Sequence, residues 1–132
     1  MNDKEYAKQK KRVEKYINKW HRVMGLGWFC IEYIWDREHK EDSPNTAALT
    51  NSAWQYKDAS ITWFLPQIQA LADDRLENIV VHEFCHVLLS GLAQWIEDNP
   101  QADQLNEYTT ELVANAMIWS REAGEEKNER QN

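Results

Sequence analysis

His82 and His86 stand four positions apart, with Glu83 directly after the first, and these are the residues whose types and spacing could define a chemistry. On a helix, such a pair lies one turn apart on one face, about 6 Å from each other, so both imidazoles can close on one metal ion. Glu83 is turned from His82 by about 100° around the helix, which lets it face a water on the ion without binding the ion itself. Zinc suits an imidazole pair and lowers the pKa of bound water to roughly 7, and a neighbouring carboxylate can take the released proton and deliver it onward. Amide hydrolysis needs both attack on the carbonyl and protonation of the leaving amine. The expectation is zinc on His82 and His86, with Glu83 as general base.

Coincidence is the competing explanation, and context weighs against it. Ile79, Val80 and Val81 precede the set and Val87, Leu88 and Leu89 follow it, so three polar side chains among them would be costly to bury without a partner. Two imidazoles leave the ion short of a protein ligand, and no histidine follows His86. The third donor is therefore a carboxylate or a thiolate. Cys30 is one conceivable thiolate. Glu107 and Glu111 are the candidate carboxylates, one turn apart on one helix face. Glu107 comes early in the last helix, where it can reach an ion between the histidines. Glu111 is better placed to accept a hydrogen bond from the free ring nitrogen of a ligating imidazole. The bland alternative is that one or both are solvated helix carboxylates. His21 and His39 have no partner at ligand spacing and read as surface or satisfied core histidines, and the tryptophans as core and groove-lining groups.

The run Asn106, Glu107, Tyr108, Thr109, Thr110, Glu111 resembles the N-E-x-x-x-D/E helix of the gluzincins, the thermolysin-like zinc peptidases. More closely, the chain is similar to short phage and prophage metallopeptidases and to the compact enzymes that cleave phage repressors, which carry a glutamate six and seven residues before an apolar-Ala pair, here Val113 and Ala114. The resemblance is strongest over residues 74–120 and implies a minimal zincin core, with Glu107 as third ligand and Glu111 as its support. A metzincin would have glycine at position 89 and histidine at 92, where this chain has Leu89 and Leu92. The DNA-binding segment of the repressor-cleaving group and the proline after its last helix are missing, so repressor cleavage is not carried over.

The elements that must position these residues follow from periodicity. Tyr6, Val13, Ile17, Trp20 and Met24 form one stripe of a helix over Lys4 to Met24, ended near Gly25 and Gly27. Trp28 to Asp36 alternates as a strand with Phe29, Ile31, Tyr33 and Trp35 on one face. A polar loop with Pro44 leads to two short strands, Thr46 to Thr50 and Ala59 to Leu65, the segment between them being ambiguous. The second is expected at a sheet edge beside the cleft, stopped by Pro66. The metal helix is expected from Asp74, with Asp74 and Glu77 as a capping box, to Ser90 with Gly91 as C-cap. The last helix spans Asp103 to Ala123, carries Leu105, Tyr108, Leu112, Ala116 and Trp119 on one stripe, and ends at Gly124.

Composition sets the outer bounds. A chain of 132 residues, 42% hydrophobic and with seven Trp, supports one domain with a real core. We expect an α+β fold: an N-terminal helix and a small twisted sheet packed on two helices that hold zinc between them. Residues 1–124 form the domain and 125–132 a flexible charged tail. A net charge of -7 argues against nucleic acid and anionic membranes as partners. The charged N-terminus lacks the apolar core of a leader and no segment is apolar enough to span a bilayer, which predicts a soluble cytoplasmic protein. Two cysteines make no disulfide framework and are expected to be buried free thiols. The expected partner is a peptide or protein substrate. A metal-stabilised binding or regulatory domain without turnover is the second reading, and a zinc hydrolase of non-peptide amides a third.

Overall fold

The first helix, α1 (Asp3–Trp20), begins where the Asn2 side chain accepts the backbone N–H of Glu5 at 2.9 Å. It is seen in a computed structural model that describes residues 1–94 and 100–131. Its apolar stripe buries Val13, Tyr16, Ile17 and Trp20. The helix stops four residues short of Met24, where the chain turns through Gly25 at φ +74°, a backbone conformation that favours glycine.

Strands β1 (Cys30–Asp36), β2 (Ala48–Ala53) and β3 (Asp58–Phe64) form one mixed sheet in the order β1-β3-β2, with β1 parallel and β2 antiparallel to β3. The fold is α+β, as expected. β1 alternates as predicted, with Ile31, Tyr33 and Trp35 against the core and Phe29 packed there just before it, but the strand starts two residues later than expected because Leu26–Trp28 forms a 3-10 turn. The same alternation turns Cys30 outward, so only Cys85 is a buried thiol, although both are free. The ambiguous stretch between the later strands extends β2 to Ala53, then makes a 3-10 turn over Trp54–Tyr56 and reverses at Lys57 with φ 53°.

The strand expected at the edge is instead the centre of the sheet, with β3 paired on both sides. Ile61 and Trp63 are fully buried and Ala59 and Phe64 nearly so, and a strand with that much apolar surface is best covered in the middle. β2 takes the edge. Pro66 does not merely stop β3 but lies in the first turn of a short helix, α2 (Leu65–Gln69), where its missing N–H is harmless.

Helix α3 (Asp73–Leu88) carries the histidine pair and buries Leu76, Val80, Val81, Phe84, Cys85 and Val87 completely. It has no capping box. Asp74 accepts the N–H of Arg75, while Glu77 takes the indole N–H of Trp20 at 2.9 Å and the Lys19 ammonium at 2.6 Å, tying α1 to α3. Gly91 does not cap the helix either: α3 ends at Leu88, and Gly91 lies inside the short α4 (Ser90–Ala93).

The last helix, α5 (Pro100–Gln131), passes through Gly124 where an end was expected, so residues 125–131 continue the helix, and Asn132 lies outside the described residues. An ion pair from Arg121 to Glu125 at 3.1 Å spans the glycine and offsets part of its cost of about 1 kcal/mol. The stripe Leu105, Tyr108, Leu112, Ala116 and Trp119 points outward, and Thr110 and Ala114 are the buried positions. Among the described residues, no helix is long and apolar enough to cross a membrane.

Candidate metal centre

Helix α3 presents His82 and His86 on its free face because the rest of its circumference is taken by the core. Their rings meet edge to face, with centroids 4.8 Å apart and the two Nε2 atoms separated by 3.1 Å. α5 crosses this face and brings Glu107 over it, with Oε1 at 2.9 Å from His86 Nε2 and Oε2 at 3.2 Å from His82 Nε2. The three donors lie within 4.8 Å of one another, and this group could hold a metal ion. A tetrahedral zinc with bonds of ~2.0–2.1 Å spaces its ligands by about 3.3 Å, close to the separations seen here. Cys30 is not in the group.

Glu111, one turn along α5, lies behind His82 rather than over the convergence point. His82 Nδ1–H donates to Glu111 Oε2 at 2.7 Å, which fixes the tautomer that leaves the Nε2 lone pair free. Asn78 donates to Asn115 at 2.7 Å, and Ala114 is fully buried, so the two helices are held in register where the glutamates sit. Paired zinc titrations separate the two acids. Glu111→Ala is expected to weaken affinity by the ~10- to 100-fold typical of such supporting hydrogen bonds, and Glu107→Ala by more than that. The reverse order would overturn the assignment.

Glu83 is buried and is not one of the three donors. Thr50 on β2 donates to its Oε2 at 2.5 Å. Burial pushes the Glu83 carboxyl above the ordinary range, while the Thr50 hydrogen bond and the His86 and His82 imidazoles pull the other way. The net direction is upward, and the Thr50 hydrogen bond fixes the carboxylate in place.

Sequence reasoning missed Thr50. The signal available was the alternation of β2, whose inner face is Ala48, Thr50 and Ser52, but nothing local shows which partner that face meets. These three residues form one wall of a cleft of about 570 Å³, with His82, Glu83 and His86 on its floor and Asn106 and Glu107 opposite. None of the described tryptophans lines it. His21 is satisfied by the Leu26 carbonyl at 3.0 Å and packs on Phe84, and His39 is exposed. Burial, aided by the charge of Glu111, pushes the Cys85 thiol up to about 11, which suits an inert core group.

No protein-family model matches the chain, and neither a curated protein nor a solved structure matches it.

Proposed function

We propose that this protein is a zinc-dependent metallopeptidase with a minimal zincin core, hydrolysing a peptide bond in a peptide or protein substrate. The observation that carries the reading is Glu83: a buried carboxylate beside a three-donor metal group, held by Thr50 and facing the same cleft. A site that only stabilised the fold would use His82, His86 and Glu107 and have no use for a buried acid next to them.

Zinc, when bound, supplies a Lewis acid that acidifies water to a pKa of roughly 7 and polarises the scissile carbonyl. His82, His86 and Glu107 would hold it, and Glu111 keeps the His82 ring in the tautomer that could ligate. Thr50 occupies Glu83 Oε2 and so leaves Oε1 to take a proton from the attacking water and pass it to the leaving nitrogen. An extended substrate suits the cleft, because one wall is the edge strand β2, whose outer backbone groups have no strand partner among the described residues.

The test is comparative proteolysis: a cell extract treated with zinc-loaded protein should show new peptide termini that a Glu83→Gln variant does not produce. Identical termini from both would overturn the reading. The Thr50 hydroxyl has its own test on labelled casein. Thr50→Val keeps the shape and removes the donor, so kcat should fall by roughly 10- to 100-fold with KM little changed, as expected for one hydrogen bond to a charged group. Thr50→Ser should restore most of it, and equal losses in Val and Ser would assign the effect to packing.

A further inference from the structure

The outer face of α5 is the feature that neither the core nor the metal centre uses. Leu105 is 62%, Tyr108 63%, Leu112 50% and Trp119 65% exposed, and with Ala116 they run in one line along the helix. Single exposed apolar side chains are ordinary, whereas a contiguous line of two aromatics and two leucines on one rigid element marks a contact surface. The helix beneath is fixed to the body: Ala114 is buried, and the Arg121 guanidinium stacks on Trp20 at 5.2 Å.

We propose that this face is a homodimer interface, formed by two copies of α5 packed antiparallel about a two-fold axis at Leu112. The spacing carries the choice of a second copy over another partner. From Leu105 the stripe steps by 3, 4, 4 and 3 residues through Tyr108, Leu112 and Ala116 to Trp119, so it reads the same in both directions from its centre. A two-fold contact needs that self-complementarity, because one patch must fit itself. The axis sets Leu112 on Leu112, the large Tyr108 against the small Ala116, and Leu105 against Trp119.

Charge and area agree. A chain of net charge -7 can approach its own copy only through a face free of like charge. Gln104, Thr109 and Ser120 flank the stripe and are uncharged, Asn115 is turned to Asn78 on α3 and Glu107 and Glu111 to the histidines, and the exposed Glu122, on the same margin as Gln104, falls opposite Ala102 of the second copy, beyond the Leu105–Trp119 pair. At the observed exposures the stripe offers at most roughly 500 Å² of side chain on each copy, about 1,000 Å² for the pair, which is the floor for a biological interface and places this one at the small end. The interface is independent of the hydrolytic reading, since the stripe faces away from the cleft.

The test uses the full chain in solution. Light scattering behind size exclusion, at tens of micromolar, should give twice the 15.7 kDa chain mass for the parent. Leu112→Glu and Trp119→Glu should each give the single mass with unchanged zinc content and helicity. In a Cys30→Ser background, Leu112→Cys should cross-link to itself through a short bismaleimide. Leu105→Cys should not, but should do so with Trp119→Cys when the two are mixed. A monomeric parent, a dimer that survives both glutamate variants, or cross-linking of Leu105→Cys to itself would overturn the proposal.

Discussion

His82→Ala and His86→Ala should each purify with little zinc, and the parent with close to one zinc per chain. The two Nε2 atoms and the Glu107 carboxylate are mutually within hydrogen-bonding distance and converge on one point, so removing either imidazole leaves two donors for an ion that takes four ligands. The effect extends to stability, because a metal that binds only the folded chain shifts unfolding by mass action. At free zinc about a thousandfold above Kd this amounts to about 4 kcal/mol, or roughly 10–15 °C in Tm for a domain of this size. Chelation should thus lower the parent's Tm by that order and leave His82→Ala unmoved. Metal analysis finding unchanged zinc in both variants would remove the site altogether.

The second large effect separates binding from chemistry. Glu83→Gln is close in shape, keeps an oxygen for the Thr50 hydroxyl and removes none of the three donors, so zinc content and Tm should stay near the parent's. Hydrolysis should fall by the ~10²- to 10⁴-fold that a positioned general base contributes, since an amide cannot accept the proton. Parent-like activity of the variant on any substrate the parent cleaves would discard Glu83 as base and favour a metal-stabilised domain with some other use for its cleft.

The histidine pair and Glu83 are legible in the sequence because their geometry is local. Positions i, i+1 and i+4 of a helix have fixed relative directions whatever the helix packs on, and the apolar residues around His82 made the helix plain. Alternation likewise made β1 plain, and the α1 stripe is buried as its period implies. Glu107 and Glu111 could be named from spacing and resemblance, but their arrival at the histidines depends on how α5 docks.

That docking, and the sheet order, belong to the tertiary structure. A helical period marks a stripe without saying what covers it. Glu107 lies roughly 200° around the helix from Leu105, and Glu111 roughly 100° from Leu112, so α5 cannot turn both the acids and the apolar stripe toward α3. The small face of Thr110 and Ala114 packs inward, and the larger stripe is left outside. Strand order has no local code either: β3 is central because its burial demands two neighbours, which gives the cleft to β2. Glycine bends a chain only where the surroundings ask for φ above zero, as at Gly25 and not at Gly91 or Gly124. Thr50 meets Glu83 across 33 residues of sequence through pairing and packing that no local window contains, so the partner of the proposed base is visible only in the folded chain.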